Sequence, residues 1–220
     1  MEIYVILSYN VNVGRYDTRK KYIIGRDIIM ILYHGTISTC AENIINNGID
    51  LLKGNKSVDF GQGFYTTPSM KFATNTATNK AFKTNVYYDY EYCKPVVLSF
   101  CYSPSNNLRI LNFYRRDLKW AQFIINNRNG FKYLHTTHQK FHNLTGYFDI
   151  VIGEIADNKI TSIAQELLLL GEKLSENDFE NMLYQYKTSQ YSFHTEKSLS
   201  CLELVSCDII EEKKGDVVNE

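Results

Sequence analysis

The chain has 220 residues, 44% of them apolar and 14% aromatic, with 17 tyrosines; that suits one domain with a real core and favours a strand-rich or mixed fold over a helical bundle. Three prolines and few charge blocks argue against extensive disorder, and no apolar run reaches the length that spans a bilayer. The formal charge is zero but unevenly spread: residues 109–142 carry Lys/Arg at 109, 115, 116, 119, 128, 132 and 140 against the single acid Asp117, whereas fourteen acids face six lysines between Glu154 and Glu220.

In chain order, residues 1–29 read as an extension of uncertain structure: a strand at Glu2–Asn12, then a basic connector through Arg26. Met30 stands directly before the next strong strand, and a start of translation there is the alternative expectation for this segment. A single domain is expected over 30–210, followed by a charged tail at 211–220. Ile31–Thr36 has the pattern of a buried strand. Helix Ser38–Asn47 follows, with Ser38 or Thr39 as its cap, Ile44 and Ile45 inward and Gly48 as its stop. After a polar loop, Val58–Thr67 reads VDFGQGFYTT, a glycine turn opening a short β-prone run. A second helix is expected over 68–83, with Pro68 in its first turn and Met70, Phe72, Ala73, Ala77, Ala81 and Phe82 on its apolar side. Strands at Val96–Tyr102 and Leu108–Phe113 precede a helix at Arg116–Asn127 whose inner side is Leu118, Ala121, Ile124 and Ile125, with Trp120 beside them. Phe148–Ile155 is an apolar strand. Helices are expected near 160–172 and 175–186, and strands at Gln190–Thr195 and Leu202–Ile210 close the domain.

Several generic chemistries do not fit. The Asp59-Phe60-Gly61 triplet has no HRD loop and too little chain upstream for a kinase. Gly61-x-Gly63 lacks the third glycine of a dinucleotide fingerprint, and no Lys-Ser/Thr pair follows to make a P-loop. His135, His138 and His142 invite a metal reading, but no acid or cysteine completes a four-ligand site, so no metal is expected. Five cysteines, odd in number and without CxxC spacing, fit a reduced cytoplasm; Cys40 near a helix start has no apparent partner base. No secretory signal is visible, and the sequons at Asn55 and Asn143 then read as chance. His34, at the end of an apolar strand and before a glycine, can offer one ring nitrogen to a ligand while the backbone holds the other.

Three strand-borne motifs then form a pattern: Leu32-Tyr33-His34-Gly35-Thr36, Asp59-Phe60-Gly61-Gln62-Gly63-Phe64-Tyr65-Thr66-Thr67, and Ser189-Gln190-Tyr191-Ser192-Phe193-His194-Thr195. In that order they resemble the ADP-ribosyltransferase superfamily, in its diphtheria-toxin-like His-Tyr-Glu branch, here as His-Tyr-Gln. More closely, they resemble an uncharacterised family of small bacterial proteins. Trp120-x-x-Phe123-Ile124 ending at Asn127-Arg128, and Asp149–Gly153 with Ala156-Asp157, are similar to that family as well. The resemblance runs from about Ile31 to Leu204.

The resemblance implies an α+β fold, a split sandwich of two small antiparallel sheets flanked by helices. It implies transfer of ADP-ribose from NAD to a protein or nucleic acid, with release of nicotinamide, in a toxin or effector that a cognate antitoxin or inhibitor could hold. It assigns His34 to the adenine-side ribose, the Gly35 backbone to the nicotinamide amide, Tyr65 to stacking on the nicotinamide ring, and Gln190 to the nicotinamide-side ribose. Thr36, Gly63 and Phe64 complete the expected NAD-binding set. Many relatives carry glutamate where this chain has Gln190, and a neutral amide attracts developing positive charge less than a carboxylate does. Thr188 breaks the Glu-x-Glu pattern of arginine-modifying relatives. Tyr184–Ser189 is the implied target-reading loop, with Tyr184 and Tyr186 as exposed aromatics. An NAD glycohydrolase, a non-catalytic NAD- or ADP-ribose-binding module, and a partner-binding protein without a nucleotide site are the competing expectations. The basic 109–142 segment allows nucleic acid, the NAD pyrophosphate or an acidic protein patch.

Overall fold

The computed structural model describes residues 21–24, 27–87, 92–130, 141–156 and 188–211. The strand expected at Glu2–Asn12 and the two helices expected between 160 and 186 lie outside the described residues. The described chain is α+β, with two four-stranded sheets and four α-helices.

The first sheet holds β1 (Lys21–Ile24), β2 (Asp27–Ile37), β4 (Pro95–Tyr102) and β8 (Leu202–Ile209), in the order β1-β2-β4-β8, all antiparallel. The second holds β3 (Phe64–Thr66), β7 (Ser189–Phe193), β6 (Ile150–Glu154) and β5 (Ile110–Asn112), in the order β3-β7-β6-β5. This sheet is mixed rather than purely antiparallel, because β5 runs parallel to β6. The chain reaches that register through α3 (Leu118–Asn129), the helical crossover that a parallel pair requires.

The two sheets share one apolar layer. Leu32, Val96, Leu98, Phe100 and Tyr102 from the first meet Phe64, Ile150 and Phe193 from the second. A second layer packs α3 against the mixed sheet, with Trp120, Phe123, Ile124 and Ile125 around Phe60 and Val151, all but fully buried. α2 (Met70–Tyr87) lies on the first sheet through Ala73 and Ala77 against Val97. Gly35 lets it come that close, since a Cβ there would sit 2.0 Å from the Ala73 carbonyl oxygen.

Several local expectations change. Helix α1 (Ser38–Asn47) has the expected bounds, but Ile37 is its N-cap and no side chain caps it. Ala41 is its buried residue, and Ile45 is exposed. Helix α2 begins at Met70, so Pro68 lies before it; the Ser69 hydroxyl accepts the Phe72 N–H, and Phe82 faces solvent. α3 starts at Leu118, because the Asp117 carboxylate accepts the Trp120 N–H and sets the first turn. The short helix α4 (Glu196–Leu199) was not anticipated; Thr195 and Ser198 form its capping box.

Candidate functional site

The two sheets are joined at one backbone bridge. The Tyr33 N–H donates to the Thr67 carbonyl at 2.8 Å, and the Thr67 N–H donates to the Tyr33 carbonyl at 2.9 Å. The Thr67 hydroxyl also donates to the Ser189 carbonyl at 2.8 Å. Thr67 therefore fastens three segments to one another. His34 follows Tyr33, Tyr65 precedes Thr67 by two residues on the same face, and Gln190 follows Ser189. This junction brings three distant motifs around one opening.

That opening is a small, open cleft of about 90 Å³. His34, Gly35, Tyr65 and Gln190 all line it, together with Tyr33, Thr66 and Thr67 and, on the α2 wall, Phe72, Ala73, Thr76 and Lys80. Thr36, Gly63 and Phe64 are not among its lining residues. Thr36 and Gly63 are buried, and Phe64 lies in the inter-sheet core with its ring 4.4 Å from the His34 ring, supporting it from behind.

The His34 Nδ1 lies 2.6 Å from the Tyr65 carbonyl. A carbonyl can only accept, so Nδ1 carries the proton and donates. Burial, then the nearby Lys80 charge, lower the imidazole pKa to about 3 against the opposing effect of that hydrogen bond. The ring is therefore neutral near pH 7, with Nε2 as a bare acceptor. Such a nitrogen can receive a hydroxyl proton but cannot add positive charge to the cleft.

Gly35 contributes its backbone. Tyr33 points both its N–H and its C=O at Thr67, and strand alternation sends the Gly35 groups the same way, past the end of β3 and into the cleft. The Lys80 ammonium donates to the Gly35 carbonyl at 2.9 Å. Lys80 as a whole is exposed, yet desolvation of its ammonium beside Gly35 lowers its pKa.

Tyr65 is tied at both ends. Its backbone carbonyl accepts from His34, and its hydroxyl donates to the Gly61 carbonyl at 2.7 Å while accepting the Phe60 N–H at 3.0 Å. The glycine turn thus cradles the phenol, with Gly61 at φ 88°. Burial drives the phenol pKa well above its usual value, so the group is a neutral, fixed ring.

Sequence reasoning missed the support behind Gln190. Its Nε2 donates to Asp59 Oδ2 at 2.7 Å, across 131 residues. Asp59 is buried and is held in turn by the Arg128 guanidinium, with Nε 2.8 Å from Oδ1, and by the Ala156 N–H at 3.1 Å. The signal available was the joint presence of Asp59, Arg128 and Ala156 in the recognised motifs, but nothing in their spacing says that they touch.

Asp59 is one of several acids that engage the basic segment. Arg109 pairs with Asp149, Arg115 with Asp117, Arg116 with Glu154 and Arg128 with Asp59. Among the described residues of the basic middle, these four arginines are thus engaged in intramolecular ion pairs. His142 is buried; its Nδ1 accepts the Leu144 N–H at 3.3 Å. His135, His138, Tyr184 and Tyr186 lie outside the described residues. Among the described residues no group of His, Cys, Asp or Glu could hold a metal ion, Cys40, Cys93, Cys101, Cys201 and Cys207 are free, and no helix is long and apolar enough to cross a membrane.

Residues 30–204 match the family described as protein of unknown function (DUF3990). No curated protein and no solved structure matches the chain.

Proposed function

The chain belongs to the DUF3990 family, to which no activity is assigned, and from the cleft we propose that it transfers ADP-ribose from NAD to a macromolecular acceptor with release of nicotinamide. The observation that carries this reading is the convergence of a neutral imidazole, a strand-edge peptide, a fixed phenol ring and an oriented amide on one cleft, from three separate motifs. The two-sheet architecture supports an ADP-ribosyltransferase-like fold by the same token.

In this reading the Gly35 N–H and C=O pair with the nicotinamide carboxamide as another strand would, displacing the Lys80 ammonium from the carbonyl. Tyr65 fixes the ring plane, an aromatic contact worth roughly 0.5–1.5 kcal/mol beyond burial. The His34 Nε2 accepts from one ribose hydroxyl, and Gln190 meets the other ribose. The C1′–N bond then breaks with its electron pair passing to the pyridinium nitrogen, so nicotinamide leaves neutral. The acceptor's nucleophile bonds to C1′ and gives up its proton. Little acid catalysis is required, because the leaving group is already cationic; the protein's contribution is orientation and stabilisation of the oxocarbenium-like ribose.

The test is incubation of the full chain with NAD labelled in its adenylate half and a cell lysate, beside His34→Ala, Tyr65→Ala and Gln190→Ala variants. Label on a macromolecule that disappears in all three variants is the expected result. Free ADP-ribose without labelled macromolecule points to hydrolysis instead. Binding without cleavage points to a binding module, and absence of binding overturns the reading.

A further inference from the structure

Gln190 has an amide where a carboxylate would attract a developing cation, and the structure contains a carboxylate directly behind it. One N–H of Gln190 is committed to Asp59 Oδ2 at 2.7 Å. Asp59 cannot swing to follow a ligand, because Arg128 and the Ala156 N–H hold both its oxygens. The amide, partnered this way, has one orientation: nitrogen inward, Oε1 outward. Gln190 lines the cleft, so Oε1 is the atom it offers there. Without the acid the amide could turn over and present N–H groups to a ribose that is becoming positive.

We infer that Asp59 is the positioning residue of the ribose site: by claiming the Gln190 Nε2–H it aims Oε1 into the cleft and polarises the amide, so that a neutral side chain presents an acceptor in place of a carboxylate. The inference rests on the transfer reading for its catalytic consequence, but not for the geometry it assigns. Hydrogen-bonding to an anion strengthens the next bond in the chain, here the one that Oε1 accepts. The same geometry explains why a glutamate side chain is a poor fit at position 190 in this chain. A second carboxylate within hydrogen-bond distance of Asp59 would have to share a proton with it. Exchanging the two groups restores the pair, since the amide introduced at position 59 would donate to the carboxylate introduced at position 190.

The test compares NAD turnover by the wild-type chain, Asp59→Asn, Gln190→Glu and the double variant Asp59→Asn/Gln190→Glu, with each fold checked by thermal melting. Asp59→Asn is expected to lower kcat about 30-fold or more while KM moves less than about 3-fold, the pattern of an interaction used mainly in the transition state. Gln190→Glu alone should be weak at neutral pH and gain activity as pH rises, because its shared proton must be lost. The charged and titratable groups facing that pair are Arg128 from α3 and the neutral phenol of Tyr65 from β3. The double variant should exceed both single variants, with its acid limb back in the ordinary carboxylate range. A wild-type kcat in Asp59→Asn, or a double variant no better than the singles, overturns the inference.

A substrate-free reading separates the two proposals. In wild-type protein the Gln190 side-chain amide proton should be shifted downfield and slow to exchange by NMR, and Asp59→Asn should remove both signatures. If the wild type consumes no NAD, the transfer reading falls and this spectrum alone decides the positioning role. A Gln190 amide that exchanges freely in the wild type overturns it.

Discussion

Two histidines flank the β3 strand and differ in one respect that separates function from structure. His34 donates from Nδ1 to the Tyr65 carbonyl at 2.6 Å, and His194 donates from Nδ1 to the Gln62 carbonyl at 2.9 Å. Both are driven mainly by burial to low pKa values, about 3 and about 4. Both are therefore neutral, with the same tautomer. The difference lies at Nε2. In His194 it lies 2.8 Å from the hydroxyl of the fully buried Ser192, which also lies 3.1 Å from the Val151 carbonyl. In His34 it belongs to a ring that lines the cleft, with Phe64 behind it. A satisfied Nε2 makes a structural histidine; an unsatisfied one at an opening makes a ligand-binding one. The Ser192–His194 contact looks like a nucleophile–base pair on paper, but Ser192 is fully buried and Nδ1 meets a carbonyl instead of an acid.

The strongest way to break this comparison is to truncate each ring. His34→Ala should lower kcat/KM for NAD by about 100-fold or more, with a stability loss of only about 1 kcal/mol, because water can replace the ring at the cleft. His194→Ala should do the reverse. It removes the donor to the Gln62 carbonyl and one of the two contacts of the Ser192 hydroxyl, which keeps the Val151 carbonyl at 3.1 Å, and it leaves a cavity, at a cost of about 2–4 kcal/mol. Activity per folded molecule should stay within about 5-fold. Denaturant midpoints and steady-state rates on the same preparations decide it. Equal stability losses with equal activity losses would erase the distinction between the two sites.

Acid should act on both histidines alike. Each folded pKa lies below the unfolded value of 6.5, so the unfolded chain binds more protons as pH falls. The stability that each neutral ring contributes is fully present above about pH 6.5 and is lost as pH falls, through about 4 for His194 and about 3 for His34. The slope reaches about 1.4 kcal/mol per pH unit for each ring. Asp149 adds loss of the same sign at lower pH. Burial alone would raise its pKa, but hydrogen bonds from the Arg109 backbone and side chain and from Thr195 outweigh that and lower it. Urea midpoints from pH 7 to pH 4 test the sign, and a His194→Gln variant should flatten the upper part of the curve. Meanwhile kcat/KM should show no histidine limb between pH 5 and 8, since His34 is already neutral there.

What could be read from the sequence was short-range. The strand carrying His34, the helix Ser38–Asn47 and the glycine turn before Tyr65 each declare themselves within about ten residues, through apolar runs and glycine stops. The cleft members His34, Gly35, Tyr65 and Gln190 followed from motif resemblance on those strands. What could not be read was long-range or directionless. A three-residue strand such as Ile110–Asn112 carries no sign of whether it runs parallel to its neighbour. Ile45 and Phe82 fit an apolar helix face, yet neither packs, because small alanines make the helix–sheet contacts. The charge count over 109–142 left open what its cations meet, and nothing in it shows that Asp149, Asp117, Glu154 and Asp59 engage its arginines. The Asp59–Gln190 contact joins residues that no local pattern relates.

The smallest expected effect sharpens the comparison most cleanly. The surroundings of the two rings differ in charge: Lys80 lowers the His34 pKa, whereas Asp149 raises that of His194. Lys80→Met removes one of these influences and leaves the other. The His34 pKa should rise modestly from about 3, because burial, the larger cause, remains, and the His194 pKa should stay near 4. Imidazole NMR titrations of the variant and the wild type read both at once. The substitution also frees the Gly35 carbonyl, the acceptor that Lys80 occupies. Inhibition by free nicotinamide, an uncharged ligand that gains from an open acceptor, should therefore tighten by about 2- to 5-fold, the scale of one modest hydrogen bond. If nicotinamide inhibition is unchanged while the His34 pKa rises, the Gly35 edge is not where the carboxamide pairs. The cleft would then hold its ligand through His34, Tyr65 and Gln190 without that strand-like contact.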